Sequence, residues 1–173
     1  MDFTEKIISR QSIYEGNFLK VENLKVQLPD GNNSNRDVIR HPGAVAILAL
    51  LDNETMLLVK QFRVTLNKTL LEIPAGKIEE NEEHIKSAHR ELEEETGYKS
   101  NKMEYLGTIA TSAGFSDQLV HIYKATELYQ GTKGGDEDEF IDVEPHKIND
   151  VKSMIKEGKI IDVKTIAALM YIQ

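Results

Sequence analysis

At 173 residues, of which 40% are hydrophobic, the chain has the size and apolar content of one ordinary domain with a sizeable core. A formal net charge of −8, with no block of lysine or arginine, excludes a broad nucleic-acid footprint, which depends on basic patches that neutralise phosphates. The lack of cysteine excludes disulfides, thiolate zinc sites and cysteine nucleophiles.

The N-terminus MDFTEKIISRQ has no apolar h-region, and the longest apolar run, residues 44–51, is too short to span a bilayer. The expectation is a mature cytoplasmic protein with no membrane segment. Residues 1–40 alternate between apolar and polar positions, which predicts short strands joined by turns, PDGNNSN being the clearest turn. GAVAILALLDNETMLLVKQFR predicts a hairpin of two strands buried on both faces and split at Asp52-Asn53-Glu54. TLLEIPAGK reads as a further short strand stopped by Pro74.

Residues 82–95 carry the best helical period in the chain. Asn81 is the expected N-cap, Glu82 and Glu83 suit the positive end of the helix dipole, and Gly97 is placed to end the helix. Ile85, Ala88 and Leu92 form its apolar stripe. Strands return at about 102–110 and 118–127, and another at 140–143 follows the loop YQGTKGGDEDE. Two helices close the chain, near 148–157 (ended by Gly158) and 162–172 (capped by Asp162). Strands interspersed with helices predict an α+β domain, a mixed sheet sandwiched as α/β/α. Residues 1–42 are read as extra N-terminal antiparallel strands of the same unit as residues 43–173.

On the helix of 82–95, Glu91, Glu94 and Glu95 share one face beside the apolar stripe, whereas Glu93 points elsewhere and is expected to be solvated. A glutamate-rich stretch alone is most often a charged surface helix. Three carboxylates one turn apart also make a hard oxygen donor set suited to Mg²⁺ or Mn²⁺. Other constellations are weaker. His84 and His89 are five apart and do not share a helix face, and His41, His121 and His146 carry no usable pattern. Ser112, Asp117 and His121 lack the strand–turn–helix setting of a hydrolase nucleophile.

The wider frame GKIEENEEHIKSAHRELEEETGY, residues 76–98, resembles the Nudix box. Gly76, Glu82, Arg90, Glu91, Leu92, Glu94, Glu95 and Gly97 all fall on its pattern. Seven such fixed identities, each at a frequency of roughly 5–8%, coincide by chance ~10⁻⁸ of the time per start position. Only Tyr98 departs, replacing an aliphatic residue. The resemblance implies a Nudix-type fold and Mg²⁺-dependent hydrolysis of a nucleoside diphosphate linked to another moiety, with two or three ions and Mn²⁺ as an alternative. It implies Glu91 and Glu95 as principal ligands, Glu94 beside them, and the carbonyl of Ala75. It leaves Glu82 and Arg90 to hold loop and helix together.

Beyond the box, RDVIRHPGAVAIL, VKQFR, LEIPAGK and the late acidic loop resemble the ADP-ribose pyrophosphatase branch, which yields AMP and ribose 5-phosphate. That resemblance implies substrate contacts at Arg36, Asp37 and Arg63, an adenine-stacking aromatic at Phe18, and a substrate loop containing Ser112, Gly114 and Gln118. Each arginine read alone is more often a salt bridge, and Phe18 read alone is equally a core residue. Ala113 stands where the branch has proline, and Gln118 where it often has an acid, which leaves the sugar open. The resemblance further implies a general base from the late loop, with Glu137 as base and Glu139 as metal ligand, Glu91 also serving catalysis. It implies a homodimer formed through the N-terminal strands. The alternatives are a Nudix hydrolase of another nucleoside diphosphate derivative, or a non-catalytic ADP-ribose-binding regulator.

Overall fold

The computed structural model of the chain describes residues 2–132 and 140–172. It divides into two compact units, one of Ala44–Ile109 with Val120–Gln173 and the other of Met1–Gly43 with Ala110–Leu119.

The larger unit is organised by one strand. In β4 (Ala44–Ala49) all six residues are buried, and its alternation sends them to two separate cores. Ala44, Ala46 and Leu48 pack with Val151, Ile160, Ala168 and Leu169. Val45, Ile47 and Ala49 pack with Ala88 and Leu92. The helices on the two faces are α1 (His84–Thr96) on one side, and α2 (Ile148–Lys156) with α3 (Val163–Ala168) on the other. This is an α/β/α sandwich, as the interspersed pattern predicts. A 3₁₀ turn, Leu169–Tyr171, extends α3.

Both edges of β4 are occupied. It pairs antiparallel with β7 (Ala75–Lys77) and parallel with β9 (Leu119–Gln130), and β8 (Tyr98–Ala110) completes a four-stranded sheet. The predicted hairpin therefore does not form. β5 (Thr55–Arg63) has no β4 edge to join, and a single bridge, Leu50 to Met56, links the two. β5 lies instead at the centre of an antiparallel sheet between β10 (Ile141–Lys147) and β6 (Lys68–Glu72).

Helix ends follow local chemistry in most places. Gly97 ends α1 in the left-handed region that a glycine enters without penalty. The Asp162 carboxylate accepts the Thr165 N–H and caps α3. The start of α1 differs from expectation. Asn81 has a positive φ and sits in the preceding turn, Glu82 lies before the helix, and the N-cap is Glu83. Ile85 is also misplaced by the periodicity argument, because it is 41% exposed while Ala88 and Leu92 are fully buried.

In the smaller unit, β1 (Lys6–Glu15), β2 (Lys20–Gln27) and β3 (Asn33–Arg40) form an antiparallel meander in which Leu24 and Val26 are buried. Residues 110–119 join it through a parallel bridge between Ile39 and Ser116. Every residue of β1 is exposed.

The unequal burial on α1 makes a paired prediction. Leu92→Ala is expected to lower unfolding free energy by about 3 kcal/mol, and Ile85→Ala by less than about 0.5 kcal/mol. Urea titration of both variants checks it.

Candidate active site

The acids of α1 are organised around one arginine. The Arg90 guanidinium donates to both oxygens of Glu82, at 3.1 and 3.0 Å, to Glu91 at 2.7 Å and to Glu94 at 2.9 Å. It also donates to the Lys77 carbonyl at 3.0 Å, which ties the helix to β7. These charge-assisted bonds raise the pKa of Arg90. On Glu82 the Arg90 bond leads, and the carboxyl falls to about 2, with Ser87 and the Glu79 N–H also contributing. Glu82 and Arg90 thus clasp the loop 77–83 to the middle of the helix.

Opposite the helix runs β7, entered through Pro74, with Ala75 and Gly76 paired to β4. Ile47 N–H donates to the Pro74 carbonyl at 2.8 Å, and Ala75 N–H donates to Glu95 at 2.8 Å. A Cβ at Gly76 would lie 2.0 Å from the Glu91 carboxyl, so only glycine leaves room for that side chain. Glu91 and Glu95 are both buried against this strand.

Carboxylate oxygens of Glu91, Glu94 and Glu95, with the Ala75 backbone close by and the Glu91 carboxyl seated against Gly76, fit a hard divalent cation in donor chemistry. Among the described residues no three acidic or histidine side chains already converge as a cluster for one ion. Arg90 and the Ala75 N–H engage the carboxylates.

Arg63, expected on the substrate, makes a bidentate pair with the buried Glu72, Nε and Nη2 each donating at 2.8 Å. Its Nη1 makes no hydrogen bond to a described residue. Glu72 holds the Arg63 pKa up against burial, and Glu95 and Asp162 add to the effect, which sets the guanidinium within electrostatic reach of the metal-type acids.

The remaining expected substrate residues lie in the smaller unit. Arg36, Gly114 and Gln118 line a cavity of about 640 Å³ with Glu5, Phe115 and Asp117. There Arg36 is held by Glu5, Nη2 at 2.6 Å and Nε at 3.0 Å. Gln118 accepts from Thr111 and faces His41. The Ser112 carbonyl accepts the Phe115 and Ser116 N–H groups and shapes the loop. Asp37 accepts from Asn23 at 2.7 Å on the exposed sheet, away from the residues lining that cavity. Phe18 is exposed and meets His41 edge-on, so it is not a core residue. Glu137 and Glu139 lie outside the described residues.

Two readings of the sequence are corrected. Glu93 is 7% exposed rather than solvated, because Lys99 at 3.2 Å and the Thr132 N–H at 3.1 Å compensate it. The histidines also form a pattern that only folding creates. His84 stacks on His121 with ring centroids 4.5 Å apart and hydrogen-bonds Tyr123, while Thr108 links His121 to Tyr105. Burial first, then the neighbouring His84, lowers the His121 pKa. Alternation along β8 and β9 was the one signal that could have paired Thr108 with His121.

The NUDIX domain family matches residues 40–169. A methanol dehydrogenase activator of Bacillus methanolicus is 43% identical, the match covering 99% of this chain and 94% of the relative. An ADP-ribose pyrophosphatase of Bacillus subtilis is 41% identical over 98% of this chain and 92% of its own. A crystal structure of an ADP compounds hydrolase superposes with a TM-score of 0.86 at 19% identity, covering 99% of this chain and 94% of the other, and shares the fold.

The Glu82 clasp has a pH signature. A carboxylate held below its ordinary 4.5 contributes stability that is complete above that value and is lost as pH falls toward about 2. Glu82→Gln is therefore expected to be less stable than the parent at pH 6, with the gap closing between pH 4.5 and 2. Thermal melts across that range check it.

Proposed function

The chain belongs to the Nudix family of hydrolases, and from that premise we propose that it hydrolyses ADP-ribose to AMP and ribose 5-phosphate, or a related nucleoside diphosphate sugar to the corresponding nucleoside monophosphate and sugar phosphate. The observation that carries this reading is the packing of Glu91 and Glu95 of α1 against Ala75 and Gly76 of β7, with Glu94 joined to Glu91 through Arg90 and Arg63 in electrostatic reach of Glu95. Near-full-length similarity to the Bacillus subtilis ADP-ribose pyrophosphatase supports the substrate class.

In this reading Glu91, Glu94, Glu95 and the Ala75 carbonyl hold two or three Mg²⁺ or Mn²⁺ ions. Bound cations would neutralise the diphosphate and lower the pKa of a coordinated water. Arg63 offers its Nη1 donors to a phosphate oxygen while Glu72 fixes the other edge of the guanidinium. Glu137 takes the proton from the attacking water, and Glu139 adds a metal ligand. In the smaller unit Arg36, Asp37, Ser112, Gly114 and Gln118 provide polar groups for the nucleoside and sugar, and Phe18 an exposed ring for stacking. Ala113 and Gln118 in place of proline and an acid favour tolerance of sugars other than ribose.

We place the chain in the cytoplasm as a homodimer. The ten exposed residues of β1 include Ile7, Ile8, Ile13 and Tyr14, an apolar content that suits burial against a second copy. No helix among the described residues is long and apolar enough to cross a membrane. A second reading, action on a partner dehydrogenase, is favoured by the similarity to the Bacillus methanolicus activator. It is compatible with hydrolysis, because Glu91, Glu94 and Glu95 are all present.

A panel of nucleoside diphosphate compounds, followed by product chromatography, tests the reaction. ADP-ribose is expected to give AMP and ribose 5-phosphate with Mg²⁺ and nothing with chelator, and Glu95→Gln to lose at least about a hundredfold in kcat. Cleavage of none of the panel under any metal condition defeats the reading. For assembly, sedimentation is expected to give a dimer that Ile8→Glu with Ile13→Glu dissociates.

A further inference from the structure

Arg63 has the sharpest task in the proposed reaction, yet it leaves β5 at the strand's end and its side chain is more than a third exposed. An arginine so placed loses rotamer freedom only if something rigid grips it. Glu72 provides the grip, and is itself 2% exposed, so its charge needs more than one partner. The second partner comes from the other end of the chain. Lys164, on α3, donates its Nζ to Glu72 Oε2 at 2.9 Å and to Asp162 at 2.7 Å.

These contacts close a ring. Asp162 Oδ1 holds Lys164, while Oδ2 accepts from Thr165 N–H at 2.9 Å and from Thr165 Oγ1 at 2.7 Å. Thr165 Oγ1 in turn accepts the Ile73 N–H at 2.9 Å, next to Glu72 in sequence. Glu72 Oε2 is thereby shared between Arg63 and Lys164 while Oε1 accepts from Arg63, so Lys164 ties the carboxylate to α3 independently of the arginine. Burial pushes the Glu72 carboxyl up, but Arg63 and Lys164 bring it down to about 2, so it stays charged throughout the neutral range. Burial likewise works against the Lys164 charge, and Asp162 and Glu72 more than offset it.

We propose that Lys164 is a positioning residue for the phosphate-binding arginine: by anchoring Glu72 from α3 it fixes the guanidinium of Arg63 with Nη1 presented to the substrate diphosphate. This rests on the pyrophosphatase reading above for its substrate. Its structural content, that Lys164 sets the order of the Arg63 side chain, stands on the hydrogen bonds alone. The ring has two separable arms. Lys164 joins Asp162 to Glu72 and so to Arg63, whereas Thr165 joins Asp162 to Ile73 and the backbone that leads to Ala75. Losing Lys164 leaves the second arm intact, so the effect falls on substrate binding and spares the metal acids.

The test compares wild type, Lys164→Met, Lys164→Arg, Arg63→Gln and the double variant Lys164→Met with Arg63→Gln. Lys164→Met is expected to raise KM for ADP-ribose about tenfold with kcat within about twofold, and Mn²⁺ affinity read by electron paramagnetic resonance unchanged. The same substitution on Arg63→Gln is expected to change KM little further, and Lys164→Arg to restore it. An unchanged KM, additive effects in the cycle, or a fall in kcat together with Mn²⁺ affinity overturns the proposal. Proton–nitrogen NMR of the Arg63 Nε–H reads positioning without substrate: a slowly exchanging resonance in wild type is expected to broaden or vanish in Lys164→Met, and its persistence overturns the proposal. Should wild type cleave no diphosphate, the reaction reading fails, and this resonance still decides the role of Lys164. If Lys164→Met does not fold, Asp162→Asn keeps a capping acceptor for Thr165 while removing the charge beside Lys164. It is expected to shift KM and the resonance in the same direction, and no shift overturns the proposal.

Discussion

The Arg90 guanidinium is the contact on which the catalytic half of the molecule depends. Its donors reach Glu82, Glu91, Glu94 and the Lys77 carbonyl, so one cation joins the incoming loop, β7 and two turns of α1. Carboxylates three and four apart on a helix repel, and burial at Glu91 and Glu95 sharpens that cost. Arg90 turns the repulsion into attachment. The planar fork is what makes this possible, because a lysine ammonium has three donors and no two-edged plane with which to hold Glu82 by both oxygens. A charged helix that looks overloaded in isolation is thereby tied to both the incoming loop and β7.

That attachment only places the acids usefully because β4 is where it is. With α1 packed on Val45 and Ile47, and α2 and α3 on Ala46 and Leu48, the strand fixes both helical layers about itself. Pairing with β7 then sets Ala75 and Gly76 in register with Ala46 and Val45, which brings these small residues up against Glu91 and Glu95. The chemistry of Gly76 is therefore packing chemistry. Its missing side chain leaves the volume that the Glu91 carboxyl occupies.

What the sequence made legible follows the range of the interactions involved. Gly97 ending α1, Asp162 capping α3 and the shared face of Glu91, Glu94 and Glu95 all depend on residues within a turn or two, and the chain's own pattern displays them. Readings that needed a distant partner went astray. Glu93 has no local reason to be buried, since Thr132, one of its partners, is 39 residues away. The two apolar runs of 44–63 read as a hairpin because periodicity reports buried strands without saying which edge each will find. His84 and His121 carry no spacing signal, yet β9 and α1 stack them. Asn81 had the composition of a cap, but Glu82 was needed by Arg90, and the helix begins two residues later than the pattern of charges suggests.

The same distinction of range separates reaction class from substrate choice. The acids, Ala75 and Arg63 belong to the larger unit, and a short contiguous box encodes most of them. The polar groups around the cavity of the smaller unit come from two stretches, 1–43 and 110–119, brought together by the Ile39–Ser116 bridge and the Arg40–Asp117 pair. Replacing a proline with Ala113 or an acid with Gln118 alters only that second set. On the proposed reading, these two positions bear on the choice of diphosphate and leave the acids of the box unchanged. Lys164 adds a third scale: a lysine 92 residues from Glu72, outside every motif, can govern how firmly Arg63 is held. The arginine is read from its motif, but its order is set by the far end of the chain.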